Sequence, residues 1–257
     1  MLARYPRRMT REPTSDTALT RRHALTRLGG ILAAALTSAG WKLSRSGTAS
    51  ASPVACLLAT EQTQGPYYIP HEKIRRDITE HRPGTPLALR LRVVDASSCR
   101  PIKGATVEVW HCDAGGLYSG FVGASAGGPP PPAGGGPGGG GSQPTDKKTF
   151  LRGGQRSDAT GVVVFDTIYP GWYRGRTVHI HVKVHVGGSV VHTGQLYFPD
   201  SLTDTVYAKA PYDKRPNRDT RNATDGIYAA GGAASTLRLA RRTAGYVGTI
   251  TMGVRRS

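Results

Sequence analysis

Long apolar runs are missing from this 257-residue chain. The best stretch, roughly Leu28 to Trp41, is rich in Gly and Ala and too short to span a bilayer comfortably. Stable membrane insertion is therefore not expected. Acid is scarce: 17 Asp and Glu stand against 34 Lys and Arg, for a formal charge of +17. Residues 1–51 supply +7 of that charge and the remainder carries +10. A basic body attracts anionic molecules. No DNA- or RNA-binding motif accompanies the charge, so it reads as a solvated basic surface without a nucleic-acid partner. Helical periodicity is almost absent. Cysteine is limited to three residues, Cys56, Cys99 and Cys112, enough for one disulfide and one thiol left over.

What is present begins with a targeting pattern. Thr20-Arg21-Arg22-His23-Ala24-Leu25 contains a twin-arginine pair, the Gly/Ala-rich apolar run follows, and Ala49-Ser50-Ala51 offers a small-residue cleavage site. Residues 1–51 thus look like a twin-arginine export signal, with Ala24 where such signals usually carry Phe. A plain secretory signal and an uncleaved anchor are the alternatives. Residues 52–257 are expected to form one domain, exported to the periplasm or beyond.

That domain is a series of short alternating segments. Leu87–Asp95 and Ala105–Cys112 read as strands, joined through Cys99-Arg100-Pro101-Ile102-Lys103-Gly104 as an antiparallel hairpin. In such a hairpin, at about 3.4 Å per residue, Cys99 and Cys112 lie more than about 20 Å apart, beyond disulfide reach. Cys56 is then the partner of one of them, and which one stays open. Val162–Phe165, Val178–Val184, Ser189–Phe198 and Tyr246–Val254 are further strands, with a hairpin turn at Gly187-Gly188. Residues 199–232 are polar and turn-rich, with one short helix near Thr203–Ala208. Gly123 to Pro144 is low-complexity Gly/Pro and reads as a flexible surface loop. Many short strands with Gly/Pro turns predict an all-β antiparallel sandwich with long irregular loops.

The chemistry gathers in Ile168–His181. Pro170-Gly171 marks a turn, and Val178-His179-Ile180-His181-Val182 alternates as a strand. Residues i and i+2 of a strand share a face, so His179 and His181 project together, close enough to share a metal ion. Imidazole suits several metals, so the pair alone names none.

Taken together, the motifs resemble those of the intradiol ring-cleavage dioxygenases, in particular exported single-domain relatives of catechol 1,2-dioxygenase and protocatechuate 3,4-dioxygenase. The resemblance runs from about Thr60 to Val254. It is carried by Gln64-Gly65-Pro66-Tyr67-Tyr68, by Val109-Trp110-His111-Cys112-Asp113 through Tyr118-Ser119-Gly120, by Tyr169-Pro170-Gly171-Trp172-Tyr173 through His181, and by Thr193-Gly194-Gln195-Leu196. It implies a mononuclear non-haem Fe(III) site held by Tyr118, Tyr173, His179 and His181, with Tyr173 and His181 as the axial pair. It further implies an active-site arginine at Arg176 and a supporting glutamine at Gln195. The implied substrates are a small aromatic 1,2-diol and O2, the implied products muconate-type diacids. Tyr169 competes with Tyr173 for the ligand role, and Arg174 with Arg176; His111 and His192 are expected not to be ligands. Nothing between Ala51 and Thr60 matches the helical dimerisation domain of the larger catechol enzymes.

Two other readings use the same residues. A non-catalytic transthyretin-like sandwich would bind a partner and give no reason for two Tyr and two His to converge. A zinc hydrolase built on His179 and His181 would need a third ligand and a carboxylate base, and no Asp or Glu stands at a suggestive spacing.

Overall fold

Two four-stranded sheets face each other across one core. The computed structural model describes residues 56, 58–126 and 142–256. The export signal read in residues 1–51, and residues 127–141 of the Gly/Pro loop, lie outside the described residues. The strands are β1 (Pro86–Asp95), β2 (Thr106–Trp110), β3 (Arg152–Arg156), β4 (Val162–Ile168), β5 (His179–Val186), β6 (Ser189–Tyr197), β7 (Arg238–Arg241) and β8 (Tyr246–Val254). One sheet has the order β4-β1-β8-β7, the other β3-β2-β5-β6. The helices are short: α1 (Val122–Ser125), α2 (Asp200–Tyr207) and α3 (Gly226–Ala229). Among the described residues no helix is long and apolar enough to cross a membrane.

The period-2 alternation explains the layers. Leu87, Leu89, Leu91 and Val93 of β1 point inward against Val107 and Val109 of β2 and Ile180, Val182 and Val184 of β5, and all are buried. Each such side chain contributes roughly 1.5–3 kcal/mol on burial. The all-β sandwich is as expected, and the β5–β6 hairpin turns at Gly187-Gly188 as read. The helix expected near Thr203–Ala208 is α2.

Three readings change. First, β1 and β2 do not pair: β1 pairs with β4 and β8, and β2 with β3 and β5 in the other sheet. The chain does start a hairpin, with an isolated antiparallel bridge between Val94 and Pro101. It then turns at Gly104, whose φ of 76° suits glycine, and crosses to the second sheet. Second, the sandwich is not wholly antiparallel, because β1 and β8 run parallel. Third, the stretch read as a flexible Gly/Pro loop from Gly123 begins within α1. The serine hydroxyl of α1, Ser125, accepts the Tyr118 backbone N–H at 2.9 Å.

The disulfide joins Cys56 to Cys99, with their Cα atoms 5.3 Å apart, and Cys112 is a buried thiol. The hairpin premise behind the cysteine argument was wrong; its exclusion of a Cys99–Cys112 pair agrees with the structure.

Candidate functional site

The site lies on the face of the β3-β2-β5-β6 sheet that turns away from the core. Register builds it. Arg152, Trp110, His181 and Gln195 are direct neighbours across β3, β2, β5 and β6, and His179 faces Tyr197 one step along. Cross-strand neighbours share a face. That face is covered by the segment of residues 60–75. There the backbone N–H of Gln62 donates to the Thr193 carbonyl at 2.9 Å, and that of Arg75 to the Gly154 carbonyl at 2.9 Å. Gly65 crosses directly above the site with φ 69°, and a Cβ there would stand 3.2 Å from Cε1 of His181.

Four donors converge. Oη of Tyr173 lies 3.0 Å from Nε2 of His179, which lies 3.1 Å from Nε2 of His181. The Tyr118 ring packs edge-on to Tyr173 with centroids 5.7 Å apart, and 6.2 Å from the His181 ring. Tyr67 stacks on Tyr118 at 4.5 Å, and Trp110 lies flat on His181 at 4.9 Å. Tyr118, His179 and His181 are buried, while Tyr173 is partly exposed.

The protons in this cluster do not balance on protein alone. Nδ1 of His179 is 2.7 Å from the Thr177 carbonyl, which only accepts, so Nδ1 carries the proton and Nε2 is a lone pair. Both Tyr173 Oη and His181 Nε2 approach that one lone pair. The Tyr118 hydroxyl, Nδ1 of His181 and Nε1 of Trp110 are buried without a well-aligned hydrogen-bond partner among the protein groups, and buried polar atoms left unsatisfied cost roughly 1–3 kcal/mol each. Burial, with Arg176 adding, holds the His179 imidazolium down at a pKa of about 3; burial and then His179 hold that of His181 well below its usual value. Both rings are therefore neutral donors. Burial, then the neighbouring Tyr173, pushes the Tyr118 phenol well up; burial also raises Tyr173, with Arg176 opposing. Two lone pairs and two phenols that ionise only beside a cation form a donor set that fits one hard metal ion. Among the described residues no group of three His, Cys, Asp or Glu is placed to hold a metal.

The expected supporting residues are adjacent. Arg176 donates from Nε to Asp225 at 2.9 Å and from Nη2 to Oε1 of Gln195. Gln195 donates to the Thr63 carbonyl at 2.9 Å and accepts from the Tyr197 hydroxyl at 3.1 Å. Tyr169 is not part of the cluster: it packs in the main hydrophobic core and its hydroxyl meets Thr203 at 2.7 Å. Arg174 is exposed. His111 donates to the Cys112 carbonyl and accepts from Thr167, each at 2.8 Å, and His192 pairs with Glu61. Neither is at the site.

Sequence reasoning missed two residues. Arg152 is 1% exposed and donates to the Ser119 carbonyl and hydroxyl and to the Tyr67 carbonyl. It fixes the backbone on either side of the stacked Tyr67–Tyr118 pair. Asp225 caps α3 and holds Arg176. The only signal for Arg152 was an arginine directly before the Gly153-Gly154 pair of a short strand, and for Asp225 there was none beyond an Asp before Gly.

Comparison with known proteins completes the picture. A dioxygenase family model matches residues 63–130. No curated protein matches. An intradiol ring-cleavage dioxygenase from Tetranychus urticae is 34% identical with a TM-score of 0.68, covering 78% of this chain and 95% of that one. The dioxygenase domain of a dioxygenase–carbohydrate-binding fusion from Streptomyces sp. SirexAA-E is 27% identical with a TM-score of 0.55, covering 78% and 99%. The 3-chlorocatechol 1,2-dioxygenase of Rhodococcus opacus 1CP, 21% identical with a TM-score of 0.53, covers 77% and 73% and shares the fold. An enzymatic family replaces the non-catalytic binding module considered from the sequence. With this sandwich and this degree of identity over nearly a whole relative, the chain belongs to the intradiol ring-cleavage dioxygenases, oxidoreductases that open catechol-type rings.

Proposed function

We propose that this chain is an exported Fe(III) dioxygenase that cleaves catechol-type aromatic 1,2-diols between the two hydroxyl-bearing carbons. Both atoms of O2 enter the product, a cis,cis-muconate-type diacid. The observation that supports this reading is the convergence of Tyr118, Tyr173, His179 and His181, where Tyr173 Oη and His181 Nε2 both approach the single lone pair of His179 Nε2. These four residues would hold the iron. Bound there, Fe(III) would supply the positive charge that ionises the phenols and draws electron density from a chelated diol.

The chain's own residues do the rest. Tyr173 is partly exposed where Tyr118 is sealed, so it is the donor that an entering diol meets, and as the tyrosinate that a bound cation would hold, its Oη would accept a substrate proton. His179 stays in one tautomer because the Thr177 carbonyl fixes it. Trp110 and Tyr67 pack against His181 and Tyr118 and exclude water behind them. Arg176 stabilises negative charge developing on the ring and its oxygens, and Gln195 orients the arginine. The support for export is the Arg21-Arg22 pair and the apolar run after it.

Product analysis with catechol and O2 tests the reading. The expected product is cis,cis-muconate, and Tyr173→Phe is expected to lower kcat by at least about 100-fold. Ring opening beside the diol, or a Tyr173→Phe variant at the native rate, would contradict it.

A further inference from the structure

Arg174 and Arg176 leave the same turn, yet only Arg176 enters the site. Arg174 is exposed, whereas the Arg176 side chain is 16% exposed and lies between Asp225 and Gln195. Gly175 between them has φ 77°, with open space where a Cβ would stand, and an arginine side chain carries about 2 kcal/mol of rotamer entropy that favours swinging into solvent.

We propose that Asp225 is the positioning residue that holds the Arg176 guanidinium in the active site. This rests on the reading of Arg176 as the group that meets charge on the reacting diol. The two oxygens of Asp225 have separate tasks. Oδ1 accepts the backbone N–H groups of Ile227 and Tyr228, at 2.7 and 3.1 Å, and so caps α3. Oδ2 accepts Nε of Arg176 at 2.9 Å and the backbone N–H of Thr177 at 2.8 Å. The carboxylate is 1% exposed and therefore cannot swing away. Thr177 is the next residue after the arginine, so one oxygen fixes both the backbone and the side chain of the same turn. Gln195 then takes Nη2, and is itself fixed by the Thr63 carbonyl and the Tyr197 hydroxyl. The guanidinium is thus clamped on two edges by groups 49 and 19 residues away. Because the partner is a carboxylate, the clamp also keeps a buried cation compensated, which an amide does only in part.

A purely structural role is the competing explanation: the same ion pair ties the segment holding α3 to the turn before β5. A double-mutant cycle separates the two. Asp225→Asn retains an oxygen for the α3 cap while removing the charge from Oδ2. Expected for this variant with catechol are a kcat lower by about 10–100-fold, a KM within about threefold, and an unchanged visible absorption band of the iron-loaded protein. In an Arg176→Met background the same change is expected to cost less than about threefold, because the group it acts through is gone. An equal loss in both backgrounds, or a loss confined to KM, would overturn the positioning role while leaving the dioxygenase reading intact. An Arg176→Met variant with native turnover would instead remove Arg176 from the reaction and take this proposal with it. If Asp225→Asn does not fold, Asp225→Ser carries the same cycle, since serine also caps helices.

Discussion

The two faces of the β3-β2-β5-β6 sheet come from the same strands and are buried alike, yet they carry opposite chemistry. Toward the core stand Val107, Val109, Ile180, Val182 and Val184; on the other side stand Glu108, Trp110, His179, His181 and Lys183. The core face needs only volume and contact. The outer face, covered by residues 60–75, must satisfy each polar group inside the protein. Most of it does: Tyr68 donates to Glu108 at 2.9 Å, and Lys183 donates to Gln64 at 2.6 Å and sits over the Tyr68 ring at 3.9 Å. The exceptions on and over this face include Trp110 Nε1, Thr193 Oγ1 and Glu72 Oε1 as well as Tyr118 Oη and His181 Nδ1, and the last two belong to the four-donor cluster. What sets the cluster apart is crowding: two neutral imidazoles and two phenols meet at one point of that face, and function is the explanation to test there.

The sharpest way to break this comparison uses neighbours in sequence. His181→Ala is expected to abolish turnover, by more than about 1,000-fold, with a modest change in thermal stability. Ile180→Ala, one residue away and facing the core, is expected to lose roughly 2–5 kcal/mol of stability while keeping most of its kcat at low temperature. Denaturant melts and turnover on the same pair decide it. If both variants lose activity and stability in parallel, the two faces are not functionally distinct.

A smaller effect is expected at the cover. Gly65→Ala forces a positive-φ residue to take a side chain facing His181. It is expected to cost about 1 kcal/mol or more and to lower kcat by about tenfold as the histidine shifts. An unaffected variant would show that the cover does not press on the site.

The smallest effect concerns pH. Burial raises the Glu72 pKa to about 7, with Arg152 opposing. Its folded value lies above the unfolded one, so between about pH 4.5 and 7 the unfolded state holds fewer protons and stability falls as pH rises. Glu72→Gln is expected to flatten stability across that window without changing the product. A native pH slope in the variant would assign the titration elsewhere.

How much of this was legible in the sequence depends on the range of each interaction. His179 and His181 were legible because strand alternation is a local rule and the register then carried them to Gln195 and Trp110. Tyr118 and Tyr173 were identified through motif resemblance, and the structure brings them to the histidines. The β1–β2 hairpin failed because a short Gly-containing connection serves equally for a turn within one sheet and a crossing between two; the Val94–Pro101 bridge shows how far the local signal reached. Arg152 and Asp225 were not legible. Their partners Ser119 and Arg176 lie 33 and 49 residues away, and Asp225 sits in a polar segment without periodicity.

The most direct test of the central claim is the visible absorption spectrum and metal content of the protein purified from Ala51 onward. The account predicts a coloured protein with about one iron per chain, a tyrosinate-to-iron band that shifts when catechol is added, and loss of that band in Tyr118→Phe. A protein that remains colourless after reconstitution with ferric iron would contradict it.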